Sequence, residues 1–277
     1  MFQYTFKIIK AIAYTIRPAA TFGACLLVLA GFNPERAEWK QALVLLLATF
    51  LGSAYCFLLN DIFDRKKDLL NDKKRPLVTG ELPVKLAFLV TVLLAVGFVA
   101  SSWFLGMIPF ILAFVFLIIA SFYSLINVKT GILANIIVAF VVSGTQWGVA
   151  IIKPDPILWI SSSFLFFYTI PREILLDWLD MSGDKKFGKQ SAPLNFSLRK
   201  LKWTLITTLA LASVSFVIAI QLYLSNTLSV ALGCFVLLFT WLSFLPFFKT
   251  SDHAQALSSV RWSHVTFVFL IFTLLSR

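Results

Sequence analysis

Long apolar runs alternate with short polar breaks along the whole chain. Nine runs approach the roughly 20 residues that a helix needs to cross the hydrocarbon of a bilayer. They lie near residues 12–31, 41–60, 85–102, 104–123, 131–150, 157–176, 203–222, 226–247 and 259–276. Their ends carry helix-stopping residues. Gly31-Phe32-Asn33-Pro34 closes the first run, and Gly106 with Pro109 marks a turn between the third and fourth. Lys153-Pro154-Asp155-Pro156 separates the fifth from the sixth, and Ser225-Asn226 splits the seventh from the eighth. The pattern predicts an all-α membrane protein, a bundle of about nine transmembrane helices around a central cavity, as one domain over residues 1–277. The first run follows basic residues, as a secretory leader does. It is long, has no small-x-small cleavage site and leads into further runs, so it reads as a first helix.

Composition agrees. The 277 residues are 59% hydrophobic and 13% charged, against about 25% charged in a soluble domain. Disordered chains, disulfide scaffolds and most soluble enzymes are excluded. The net charge of +11 does not point to nucleic acid, because the basic residues sit in short loops between apolar runs. With the N-terminus inside, 20 of the 24 Lys and Arg fall on the inner side, leaving Arg36, Lys40, Lys153 and Arg277 outside. That asymmetry predicts a multi-pass protein with a cytoplasmic N-terminus, and the membrane is expected to be the plasma membrane. Cys25, Cys56 and Cys234 read as small buried hydrophobes, and the 29 Phe as lipid-facing bulk. His253 and His264 have no partner at metal spacing, and Asp155 and Asp252 read as solvated loop residues.

The acidic residues carry the chemistry. Eight of 13 fall in two windows: Asp61, Asp64, Asp68 and Asp72, then Glu173, Asp177, Asp180 and Asp184. Asp61, Asp64 and Asp68 stand at i, i+3, i+7, and so do Asp177, Asp180 and Asp184. On a helix that spacing stacks three like charges on one stripe, which costs stability. An ionisable group at a membrane points to function. Mg²⁺ suits such stripes, since it takes hard oxygen ligands and completes its shell with substrate phosphates. The flanking Lys67, Lys73, Lys74 and Arg75, and Arg172, Lys185, Lys186 and Lys189, suit a diphosphate that leaves as its bond to carbon breaks.

Asn60-Asp61-Ile62-Phe63-Asp64-Arg65-Lys66-Lys67-Asp68 resembles the NDxxDxxxD motif of the UbiA superfamily of intramembrane prenyltransferases. Lys74 to Leu82 resembles that family's RPxxSG stretch, with Thr79 in the serine place. Asp177-Trp178-Leu179-Asp180-Met181-Ser182-Gly183-Asp184 resembles its DxxDxxGD motif, and Gly188 to Pro193 its GKxTLP tail. Tyr123, Lys129, Gly131 and Asn135 resemble its tyrosine–lysine loop and fifth helix, with Tyr123 and Lys129 spaced more widely than is common. Arg172-Glu173 and Asn71 are similar to the branch that prenylates glyceryl phosphates.

The resemblance implies Mg²⁺ on Asp61, Asp64, Asp68, Asp177, Asp180 and Asp184, with Asp61, Asp64, Asp177 and Asp180 catalytic. It implies substrate binding by Asn60, Lys67, Arg75, Tyr123, Lys129, Asn135, Arg172 and Lys189. The implied reaction moves a prenyl group from a polyprenyl diphosphate to a lipophilic or amphiphilic acceptor within the membrane, either an aromatic quinone precursor or a glyceryl phosphate lipid. Two alternatives stand beside it. One is a terpene cyclase of the same superfamily, which needs no acceptor. The other is an ion-coupled transporter, disfavoured because the acids cluster at one membrane side and no inverted repeat is visible.

Overall fold

A computed structural model describes residues 2–33, 35, 38–126, 129 and 131–277, with residues 2–4 as backbone alone. Pro34 and Arg36, used above as a helix stop and an outer cation, lie outside the described residues. The chain forms two compact units, one of Met1–Leu29, Pro34–Asn127 and Lys186–Gly188, the other of Ala30–Asn33, Val128–Lys185 and Lys189–Arg277.

In the first unit α1 (Phe2–Thr15) and α2 (Pro18–Phe32) meet at Arg17 with a 53° bend between Thr5–Thr15 and Pro18–Phe32. The predicted first helix over 12–31 is therefore broken. Arg17 adopts φ 50°, and Pro18 begins the next helix at the position where its missing N–H costs nothing. Next come α3 (Trp39–Phe63), α4 (Arg65–Leu70), α5 (Pro76–Thr79), α6 (Val84–Trp103) and α7 (Met107–Ile126). The α3 helix packs chiefly on α6 and also touches α7 and α1. Leu58, Leu77, Leu82 and Ala87 form a core there with Ala11.

The second unit is built around α9 (Pro156–Leu179), which packs on α8 (Ile132–Ile152), α12 (Leu198–Tyr223) and α15 (His253–Leu275). Between these lie α10 (Met181–Phe187), α11 (Ala192–Asn195), α13 (Thr227–Leu242) and α14 (Leu245–Thr250). Phe164, Leu165, Tyr168, Ile174 and Leu175 of α9 are wholly buried. The Tyr168 hydroxyl lies 2.8 Å from Thr266 Oγ1 and 3.2 Å from Ser243 Oγ.

Among the described residues, seven helices are long and apolar enough to cross a membrane, or eight if the bent α1–α2 pair is one span. The sixth run of the sequence, α9, falls below that mark. It carries Ser161, Ser162, Arg172, Glu173 and Asp177, and three protein helices surround it. Its environment is protein rather than lipid, so it tolerates polar groups. The opposite holds for α6 and α7, where Leu93, Val96, Ile108 and Ile118 are more than 60% exposed and expect hydrocarbon.

The two lone acids are helix caps: Asp252 is solvent-exposed, as expected, and Asp155 is half-buried. Asp155 accepts from the Ile157 N–H at 3.0 Å, and Asp252 from the Gln255 N–H at 2.8 Å. The Asp252 cap lets the last helix begin at His253, six residues before the predicted 259. Asp155 also pairs with Arg277 at 2.5 Å, and Arg277 donates to the Gly31 carbonyl at 2.7 Å.

Candidate active site: two aspartate-bearing helix ends

In the first unit the acidic stripe straddles the end of α3. Asp61 is its last buried residue, Asp64 is its C-cap, and Asp68 lies on α4. The stripe is thus not one continuous helix. The chain breaks at Asp64 but keeps the register, because the Asp64 N–H donates to Asn60 O and the Asp68 N–H to Asp64 O, both at 2.8 Å. The C-terminus of a helix has negative partial charge, so carboxylates there are doubly unfavourable. Cations compensate. Arg75 Nη1 lies 2.6 Å from both Asp61 Oδ1 and Asp68 Oδ2. Lys67 donates to Asp64 at 2.7 Å, Arg17 reaches Asp61 Oδ1 at 3.0 Å, and Lys73 stands 3.6 Å from Asp68. Burial pushes the Asp68 carboxyl above its ordinary range, while Arg75, Lys73 and Lys67 pull it back down. Ser124 of α7 donates to Asn60 Oδ1 at 3.4 Å, and Tyr123 is half-buried beside it in sequence.

The second unit repeats the arrangement. Asp177 lies in the last turn of α9, Asp180 is its C-cap, and Asp184 lies on α10. Lys189 Nζ sits 2.6 Å from Asp177 Oδ1 and 3.3 Å from Asp184 Oδ2. Asn135 of α8 donates to Asp177 Oδ2 at 2.8 Å, and its own Oδ1 is buried without a hydrogen-bond partner among the described residues. Arg172 and Glu173 pair at 2.8 Å, and Arg172 Nε is buried with no hydrogen-bond partner among the described residues. Lys129 lies in an exposed turn.

Both segments follow one local plan with positions 116 residues apart. Asp61, Asp64 and Asp68 correspond to Asp177, Asp180 and Asp184, α3 ends at Phe63 where α9 ends at Leu179, and α5 corresponds to α11. The Lys73 N–H donates to Asp68 O at 3.0 Å, as the Lys189 N–H does to Asp184 O at 2.9 Å. Even the left-handed turn recurs, at Asp72 with φ 53° and Gly188 with φ 81°. A search for inverted symmetry does not find this repeat because it is direct, and beyond the aspartates and the Lys73 and Lys189 pair almost none of its side chains are shared.

Of the expected site residues, Asp61, Asp64, Asp68, Lys67, Arg75 and Asn60 come together in the first unit. Asp177, Asp184, Lys189 and Asn135 do so in the second. Asp180 is the cap between Asp177 and Asp184. Asp72 is exposed and serves the turn rather than the stripe. Arg17 and Ser124 were absent from the expected set. Arg17 was detectable, since a charged residue inside the apolar run 12–31 is itself a signal.

Among the described residues no three Asp, Glu, His or Cys side chains converge on a ready-made metal centre. The carboxylates are instead held by Lys and Arg. Oxygen-only donors supplied one or two at a time, with basic groups alongside, match the way Mg²⁺ is held between carboxylates and substrate phosphates.

The fold and these helix ends define a polytopic α-helical membrane protein with two repeated aspartate motifs. The model of the UbiA prenyltransferase family matches residues 19–271, and the chain belongs to that family. It is 27% identical over 232 residues to a digeranylgeranylglyceryl phosphate synthase of Sulfolobus acidocaldarius, covering 83% of each chain. Its fold is similar to a UbiA homologue from Aeropyrum pernix K1, with a TM-score of 0.80 at 15% identity, covering 94% of this chain and 98% of that one. It is also similar to a UbiA homologue from Archaeoglobus fulgidus bound to GPP and Mg²⁺, with a TM-score of 0.69 at 20% identity and coverages of 96% and 100%.

Proposed function

We propose that the chain transfers a prenyl group from a polyprenyl diphosphate to a glyceryl-phosphate-type acceptor within the membrane, with Mg²⁺ as cofactor and residues 1–277 acting as one catalytic domain. The observation that carries this reading is the repeated pair of buried aspartate motifs at helix C-termini, each gripped by cations, in a member of this family. Such an arrangement is electrostatically costly and has no structural benefit of its own. The Archaeoglobus neighbour bound to GPP and Mg²⁺ and the glyceryl phosphate synthase relative supply the substrate classes.

In this reading Asp61, Asp64, Asp68, Asp177, Asp180 and Asp184 hold Mg²⁺, which supplies charge neutralisation to the departing diphosphate. Lys67, Arg75, Tyr123, Lys129, Arg172 and Lys189 bind the diphosphate, Asn60 helps to hold the metal or the diphosphate, and Asn135 orients the Asp177 carboxylate. The allylic C–O bond breaks with its electron pair leaving on the diphosphate. An acceptor hydroxyl oxygen then bonds to the allylic carbon, and its proton passes to the released diphosphate or to water. In this reading the membrane is the plasma membrane, and the motifs face the cytoplasm, the side that the distribution of basic residues favours.

The test is diphosphate release by the detergent-purified protein with Mg²⁺ and C10 to C20 prenyl diphosphates, with and without glyceryl phosphate or aromatic acceptors. Release that requires a glyceryl-phosphate acceptor supports the proposal. Acceptor-free release with a cyclic product makes the chain a cyclase, and release with aromatic acceptors alone moves it to quinone synthesis. Asp64→Ala and Asp180→Ala each lower the rate by about 100-fold or more. Wild-type rates in both variants would rule the proposal out. Side is tested separately: Lys74→Cys in a cysteine-free background reacts with an impermeant maleimide only when the inner face is open.

A further inference from the structure

We infer that Arg17 is a further diphosphate-binding residue, contributed by the bend between α1 and α2. The inference rests on the prenyl-transfer reading above and adds a residue which that reading does not use.

Among the described residues Arg17, Lys67, Lys73 and Arg75 pair with Asp61, Asp64 and Asp68. Lys67 is 7% exposed at its side chain and Arg75 21%, and each is bound at 2.6–2.7 Å; Arg75 bridges two aspartates. Arg17 is the outlier. Its side chain is 40% exposed, and it uses one nitrogen on Asp61 at 3.0 Å. The other donors of its guanidinium bond nothing among the described residues. A planar fork with spare donors suits phosphate oxygens better than a lone carboxylate oxygen.

Arg17 and Arg75 both hold Asp61 Oδ1. Asp61 therefore stays fixed by Arg75 when Arg17 turns to another anion.

Arg17 stands at φ 50°, in the left-handed region that glycine enters freely. The guanidinium is also held 4.8 Å from the Phe57 ring centre, which limits its directions. The repeat isolates the charge as an addition. In the second unit the helix before the motif, α8, gives its first aspartate a neutral donor, Asn135, instead of an arginine.

The experiment measures binding of inorganic pyrophosphate with Mg²⁺ to the full-length purified protein by calorimetry, alongside its thermal unfolding without ligand. Arg17→Gly removes the side chain and relieves the backbone. It weakens pyrophosphate by about 10-fold or more while the unfolding midpoint does not fall. Arg17→Lys, which keeps charge without the fork, falls between the two. In turnover the KM for prenyl diphosphate rises and that for the acceptor stays unchanged. Equal pyrophosphate affinity in wild type and Arg17→Gly overturns this inference alone. A wild-type chain that binds no pyrophosphate with Mg²⁺ overturns the prenyl-transfer reading and this inference with it.

Discussion

Lys189 shows how a single residue secures a whole motif. Its ammonium is 6% exposed and touches the carboxylates of Asp177 and Asp184. Removing one partner of a buried pair leaves an uncompensated charge, which costs more than the pair contributes. Lys189→Met is therefore expected to destabilise the protein by about 3 kcal/mol, read as a lower unfolding midpoint in detergent. Adding Asp177→Asn restores part of that loss, because it removes the stranded charge. An unchanged midpoint in Lys189→Met would contradict the pairing. The family resemblance named Lys189 from sequence. Its bridging of two carboxylates rests on a hydrogen bond that closes the turn after α10, from its N–H to Asp184 O at 2.9 Å, and spacing alone does not show that bond.

At the level of elements, the turns and caps were the least legible parts. The sequence pattern counts Asp72 with the acidic window, but its neighbours place it in a left-handed turn at the position where the repeat has Gly188. Asp72→Gly is expected to leave metal affinity and activity intact and to hold or raise stability, since glycine relaxes φ 53°. Loss of activity in that variant would return Asp72 to the site.

Asp252 makes a second test. The Gln255 N–H first, and then the Thr250 hydroxyl, hold its carboxyl below the ordinary 3.8. A depressed carboxyl contributes stability above its unfolded pKa and loses it as the pH falls through the folded value. Asp252→Ala thus lowers the unfolding midpoint at neutral pH, and the gap to wild type narrows below pH 3.8. A gap that is constant with pH would show that the cap carries no charge-dependent stability. From sequence alone Asp252 had no visible role, because a cap is recognised only once the start of its helix is known.

The whole molecule divides its helices by what they touch. Leu93 near the middle of α6 is 61% exposed and needs lipid around it. Leu93→Arg is expected to cost about 2.5–3.5 kcal/mol of insertion for that helix, seen as an increased fraction released by alkaline extraction. No increase would place that face against protein. By contrast α9 is not among the helices long and apolar enough to cross a membrane, and it is the centre of the second unit.

The sequence by itself determined the helical membrane class, the position of most breaks and both aspartate motifs. These features rest on local rules: apolar length, turn residues, and spacing along one helix face. Tertiary structure decided the rest. It split the first run at Arg17, surrounded α9 with protein, turned two lone aspartates into caps, and paired Arg17 with a carboxylate 44 positions away. It also extended the shared aspartate spacing into a 116-residue repeat of backbone structure, because main-chain hydrogen bonds do not depend on which side chains the residues carry. Contacts between distant residues depend on how helices pack, and packing leaves no periodic trace along the chain.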